Sequence, residues 1–258
     1  MGITLENIRF SYGAQTILKD LSCSFKGAGF HSILGPNGSG KTTLLDIVSG
    51  FLRPDQGGVF LDDTPITRIP KKQLARNIAL VSQNFSVNFP YTVQEIILMG
   101  RHPYIDRFSH PTKEDYHMAD TIMQRTGVDH LKNRKITELS GGEKQRCVFA
   151  RALCQDTPIL LLDEAFSNMD ISHTLHLLAI LKQEVHQKGK TIIAVLHDLN
   201  LASEWSDSML FLKKGSILAQ GNTTDVFTQE AIQAVFNVNT KVEYNEYVQA
   251  KQAYFKAS

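Results

Sequence analysis

Cysteine is scarce in this chain of 258 residues: Cys23, Cys147 and Cys154, an odd number without paired spacing. That excludes a disulfide framework and reads as reduced thiols in a cytosolic protein. Cys147 and Cys154 stand seven apart in a stretch predicted to be helical, so they share a face, as small buried hydrophobes do. Long apolar runs are missing. The longest, such as "ILLL" and "IIAVL", fall far short of the roughly 20 residues a membrane-spanning helix needs. The chain is predicted not to cross a membrane by itself, although it is free to bind something that does. "MGITLENIRF" has no charged start followed by an apolar core, so no signal peptide is evident, and Glu6 stands where N-terminal acylation needs Ser or Thr. An excess of one charge is missing too. The formal net charge is +1 with no long basic block, so composition gives no support to a nucleic-acid partner. No internal repeat, low-complexity tract or long linker is present.

What remains is an ordinary globular composition, 42% hydrophobic and 21% charged, long enough to bury a full core. Residues 3–12 alternate loosely and predict an edge strand, with a turn at "SYGAQ". Four runs are more informative: "FHSIL" (30–34), "IALVS" (78–82), "ILLL" (159–162) and "TIIAVL" (191–196). Each is nearly continuous apolar sequence, the pattern of strands buried on both faces of a sheet. Amphipathic stretches lie between or after them: "KTTLLDIVSG", "GEKQRCVFARALCQ" and "SHTLHLLAILKQEVHQKG". Strands alternating with helices predict an α/β fold with a mostly parallel central sheet. Residues 84–138 interrupt that alternation with helical patterns and predict an inserted helical subdomain, taken to 150 with the helix that follows. Residues 205–219 predict a hairpin turning near Lys213-Lys214-Gly215. A short tail from 222 predicts one helix, "TQEAIQAVF".

The four runs end on polar residues. "FHSIL" leads into a glycine loop, "IALVS" into Gln83, "ILLL" into Asp163-Glu164 and "TIIAVL" into His197-Asp198. Ligands of open parallel sheets bind beyond the carboxyl ends of the strands, so these groups are expected at one edge. The loop is "GPNGSGKTT": Gly35, Pro36, Asn37, Gly38, Ser39, Gly40, Lys41, Thr42 and Thr43. It fits G-x-x-x-x-G-K-[ST] between a strand and a helix, where backbone N–H groups surround phosphate oxygens, Lys41 reaches the outer phosphates and Thr42 ligates Mg²⁺. Asp163 is a strand-end carboxylate that needs a cation, and Glu164 suits a general base for an attacking water. Gln83 can ligate a metal or orient water. His197 can hydrogen-bond a terminal phosphate, and Tyr12 can stack on a base. For Gln83, His197 and Tyr12 an ordinary structural role stands beside the functional one. "LSGGEKQR" (139–146) holds a second anion-type helix start, with Ser140 as N-cap and Gly141 and Gly142 allowing close backbone approach.

Taken together, these motifs resemble the nucleotide-binding subunits of ATP-binding cassette (ABC) transporters, in matching order over nearly the whole chain. The resemblance implies a P-loop fold with an N-terminal antiparallel β-subdomain. It puts Tyr12 at the adenine-stacking position and Gln83 in the Q-loop. "LSGGEKQR" becomes the family signature, "SNMD" (167–170) the D-loop and His197 the switch histidine. It further implies ATP and Mg²⁺ as cofactors, with Thr42, Gln83 and Asp163 at the metal and Glu164 as the catalytic base. Two copies pack head to tail, so that Ser140, Gly141 and Gly142 of one close the nucleotide held by the other. "YTVQEIILMGRHPY" and the short tail are similar to importer ATPases for iron–siderophore, haem or cobalamin. Such a subunit sits on the cytoplasmic side of the membrane against permease subunits, served indirectly by a substrate-binding protein. A groove at 84–104, with Phe89, Tyr91, Met99 and Tyr104 and a basic rim of Arg101 and His102, is expected to receive the permease. The family usually has Pro-Thr after the catalytic Glu; this chain has Ala165-Phe166. An exporter's ATPase is the nearest alternative. A soluble ABC protein of DNA or ribosomes and a P-loop phosphotransferase are further ones.

Overall fold

The computed structural model describes residues 1–83, 89–167 and 169–256. Strands β1 (Ile3–Tyr12) and β2 (Gln15–Phe25) form a hairpin that turns at Gly13. The looseness of their alternation has a cause. Ile3 and Leu5 face the core, and so do Ile8 and Phe10, one residue out of step. A register shift between Leu5 and Ile8, with Asn7 at φ 50°, returns the apolar side chains to one face. β1 is not an edge strand as the alternation predicts. It lies between β2 and β4 (Gln56–Leu61), and β5 (Thr64–Pro65) follows, in the order β2-β1-β4-β5.

Each of the four apolar runs is a central strand: β3 (Gly29–Leu34), β6 (Ile78–Val81), β7 (Ile159–Asp163) and β8 (Thr191–Val195). With β9 (Ser208–Lys213) and β10 (Ser216–Asn222) they form one sheet in the order β10-β9-β3-β8-β7-β6, parallel except for β10. Lys214 and Gly215, both at positive φ, make the β9–β10 turn. Successive side chains point to opposite faces. Ile159 and Leu161 pack with the N-terminal sheet and with α1 (Lys41–Val48), whereas Leu160 and Leu162 pack with helices on the other side. Burial on both sides is why the runs are continuously apolar.

The remaining helices are α2 (Lys71–Leu74), α3 (Val93–Leu98), α4 (Lys113–Arg125), α5 (Gly141–Cys154), α6 (Ile171–Lys188), α7 (Leu199–Trp205), α8 (Thr223–Val226) and α9 (Gln229–Phe236). Helices α3, α4 and α5 pack on one another, and their buried Ile97, Ile122 and Phe149 share a core with Leu160 and Ala194 of the sheet. Cys147 and Cys154 lie in that core, and burial pushes both thiols up to about 12. The tail is more than the single predicted helix. After α9, strands β11 (Asn239–Asn245) and β12 (Ala250–Lys256) form a hairpin against α7. Only Thr240 and Ala253 of these strands are fully buried, so they lack the apolar pattern that reveals a strand. No described helix is long and apolar enough to cross a membrane.

Candidate functional site

The glycine loop runs from the end of β3 into α1. Gly38 and Gly40 lie in the left-handed region, at φ 75° and 104°. Gly40 is the N-cap of α1 and offers no side-chain cap, so the first N–H groups of this helix are left for a ligand. Gly35 lies so close to β9 that a Cβ there would sit 2.1 Å from the Leu212 carbonyl oxygen. Lys41 is 5% exposed and folds back over the loop, donating to the carbonyls of Gly35 (2.9 Å) and Pro36 (3.2 Å). Burial lowers its pKa, against the pull of Glu164 and Asp163. Ser39 is buried, and its hydroxyl has no partner among the described residues.

Thr42 donates to Asp163 Oδ1 at 3.3 Å. Burial pushes the Asp163 carboxyl up to about 6; the Thr42 bond opposes this and the Glu164 charge adds to it. A buried, charge-frustrated carboxylate beside a threonine hydroxyl is a set of hard oxygen donors that fits a divalent cation such as Mg²⁺. Glu164 follows at φ 50°, a backbone position unfavourable for a residue with a Cβ. The Gln83 amide donates to its Oε2 at 2.6 Å, and His197 Nε2 lies 2.6 Å from its Oε1. The ends of β6, β7 and β8 thus meet on one carboxylate. In this state the Gln83 amide engages Glu164 rather than the Thr42–Asp163 pair.

Asn37, Gly38, Gly40, Lys41, Thr42, Thr43, Gln83, Glu164 and His197 line one cleft of about 560 Å³. Gln15 and Ile17 of β2 complete its wall and were not expected. Alternate residues of a strand share a face, so the strand after Tyr12 carried a weak signal for both. Tyr12 itself is 53% exposed, packs edge-on against Phe10 and pairs with Gln15, placing it next to the cleft but outside its lining. Ser140, Gly141 and Gly142 do not line it either. They open α5, where Ser140 and Glu143 make a reciprocal capping box. Of the D-loop stretch, Asn168 lies outside the described residues. Ala165 is buried, and Phe166 packs its ring 6.3 Å from that of Phe149, which anchors the segment after Glu164 in the core. Behind His197, Asp198 caps α7, and the Asn200 side chain bonds both the carbonyl and the N–H of Ala253 (3.2 and 2.7 Å). The C-terminal hairpin is therefore tied to the helix that follows His197.

Of the expected permease groove, Phe89 and Tyr91 are exposed. Arg101 is not a rim residue. It pairs with Asp115 at 2.9 Å, donates to the Cys154 carbonyl and lies 4.1 Å from the Tyr104 ring centroid. The sequence shows a basic residue among aromatics, whereas the fold brings an acid from α4 to it.

A loop built to surround phosphate, a buried lysine and an acidic strand end at the carboxyl edge of a parallel sheet define a P-loop nucleoside-triphosphatase. More narrowly, the chain belongs to the ABC transporter family, whose match spans residues 18–167, and it is an ABC-type ATPase. It is 38% identical to the ferric enterobactin transport ATP-binding protein FepC of Escherichia coli strain K12, over 92% of this chain and 88% of that one. It is 37% identical to the hemin import ATP-binding protein HmuV of Escherichia coli O157:H7, over 93% and 94%. Among solved structures, an inward-facing metal-chelate type ABC transporter superposes with a TM-score of 0.84 at 29% identity, covering 99% of this chain and 96% of that one. A dimeric bacterial ABC transporter cassette superposes with a TM-score of 0.78 at 28% identity, covering 86% and 98%.

Proposed function

We propose that this chain is the ATP-hydrolysing subunit of a bacterial importer for iron–siderophore, haem or cobalamin. It works as a pair at the cytoplasmic face of the membrane, bound to permease subunits and served by a substrate-binding protein. The named functions of FepC and HmuV, at 38% and 37% identity over most of the chain, support the import reading over the exporter alternative. The observation that carries the mechanism is the Glu164 carboxylate held between Gln83 and His197, on the cleft that also contains Lys41.

In this mechanism the glycine-loop N–H groups and Lys41 hold the phosphates of ATP, and Tyr12 flanks the base. Thr42, Asp163 and the amide oxygen of Gln83, whose NH₂ stays with Glu164, would hold Mg²⁺, which when bound would neutralise developing phosphate charge. Glu164 accepts a proton from the attacking water. Its bonds to Gln83 and His197 fix the carboxylate, and His197 also faces the terminal phosphate. Ser140, Gly141 and Gly142 act on the cleft of a second copy. A Cβ on Gly141 would meet nothing within 4 Å inside this chain, so its own packing does not require glycine there. Close approach by a partner's nucleotide does.

Glu164→Gln keeps the shape and loses the base. Hydrolysis is expected to fall by on the order of 10²–10⁴-fold while ATP binding persists. Sizing with Mg-ATP should then show a dimer, and adding Ser140→Arg should abolish it. A variant that hydrolyses ATP at the wild-type rate would refute the role of Glu164. A Ser140→Arg double variant that still dimerises would refute the two-chain site.

A further inference from the structure

A groove of about 890 Å³ lies away from the nucleotide, between β4, β5, α2 and the end of α1. Arg53, Arg68 and Lys71 line it against a single acid, Asp55. All three basic residues are exposed, and none makes an ion pair or side-chain hydrogen bond among the described residues. The imbalance extends along the chain. Residues 64–94 contain no Asp or Glu but hold Arg68, Lys71, Lys72 and Arg76.

This groove continues into a neighbouring loop. Lys72 donates to the Ile105 carbonyl at 2.8 Å, and Arg76 donates to the Pro103 carbonyl at 2.8 Å. These bonds hold residues 103–106 against α2. The loop goes on to Arg107 and Phe108, with Phe108 93% exposed and Arg107 5.3 Å from its ring centroid. Phe108 sits at φ 77°, a left-handed conformation strained for an aromatic residue. On the other side Gly50 packs against Leu74 of α2, and Phe51, next in the chain, is 79% exposed. Contacts through α2 thus link the groove to the 103–106 loop on one side and to Gly50 on the other, each next to an exposed aromatic residue. Arg53, Arg68 and Lys71 have no ion pair among the described residues, while Lys72 pairs with Asp106 at 3.5 Å, on a chain whose formal charge is only +1.

We propose that this face docks directly on an anionic phospholipid surface. Clustered Lys and Arg attract acidic headgroups, and aromatic rings partition into the boundary between headgroups and acyl chains. Free phosphate or a soluble anion would account for the cations but has no use for Phe51 and Phe108. The inference is separate from permease docking, because protein-free vesicles contain no permease. Failure of either leaves the other standing.

The test is sedimentation of the purified full chain with vesicles of phosphatidylcholine alone or mixed with phosphatidylglycerol. Binding is expected only to the mixed vesicles and is expected to weaken with salt as the screening length shortens. Arg68→Ala with Lys71→Ala should weaken binding by on the order of fivefold for each charge removed. Phe108→Ser should weaken it with little change in salt dependence. Intrinsic ATPase activity and melting temperature should stay at wild-type values, since none of these residues lines the nucleotide cleft. Equal binding to neutral vesicles, no binding to acidic ones, or unchanged binding by the double variant would overturn the proposal. Displacement by inorganic phosphate at constant ionic strength would mark a free-phosphate site and also overturn it. So would loss of permease capture by the double variant when the wild type ignores acidic vesicles.

Discussion

Two helices in this chain begin at glycine-rich turns, and the two beginnings are finished in opposite ways. At α1 the N-cap is Gly40 at φ 104°, without a side-chain cap, and the buried Lys41 amine is close by. At α5 the N-cap is Ser140, whose hydroxyl accepts from the Glu143 N–H, while the Glu143 carboxylate accepts from the Ser140 N–H at 2.8 Å. Those bonds hold the Glu143 carboxyl below its ordinary range. The first helix start is open and positive, a receptor for an anion. The second already holds a carboxylate of its own. An anion brought to α5 must therefore compete with Glu143, which suits a contact made only when a second copy approaches. Leaving donors unsatisfied costs stability, and in this chain that cost falls at α1 and the strand ends around it.

The largest way to break this contrast is to remove the cation at the open end. Lys41→Ala should weaken ATP binding and lower turnover by on the order of 10²–10³-fold, the scale for losing one donor to a charged transition state. Nucleotide titration and phosphate release measure both. Near-normal turnover would remove Lys41 from the phosphate site.

A smaller effect concerns Asp163, whose carboxyl is pushed from 3.8 to about 6, chiefly by burial. The folded state keeps this proton to higher pH than the unfolded chain. The group's contribution is thus full below pH 3.8, declines as pH rises and is lost above about 6. Asp163→Asn removes the titration. In nucleotide-free protein the variant should gain melting temperature over the wild type between about pH 4 and about pH 7. Mg-ATP should reverse that order by favouring the wild type. A melting difference that does not change with pH would show that Asp163 carries no such strain.

The smallest effect sharpens the other side. Ser140→Ala deletes the α5 cap and should cost about 0.5–2 kcal/mol in chemical unfolding of the nucleotide-free monomer. No loss at all would mean that the capping box contributes nothing to the fold.

Much of this was readable before the fold was known, for local reasons. The four central strands showed because burial on both faces leaves no position for a polar residue. The glycine loop showed because its chemistry is contiguous. Where neighbours come from far away in the chain, the reading failed. β1 lies inside its sheet because β4 returns to pair with it, which no pattern within residues 3–12 records. The hairpin of β11 and β12 is mostly polar and is held in part by the Asn200 side chain. Arg101 looked like a surface cation until Asp115 was brought to it.

By itself the sequence determined the phosphate loop, the strand ends and the capped helix start, because each depends on residues adjacent in the chain. The tertiary structure alone decided that Gln83, Glu164 and His197 share one carboxylate. They follow β6, β7 and β8, which are consecutive neighbours in the sheet. In a parallel sheet every carboxyl end lies at the same edge, but which ends are adjacent depends on the order of the strands. That order is set by hydrogen-bonded pairing and by the helices packed on both faces, not by any stretch of sequence alone.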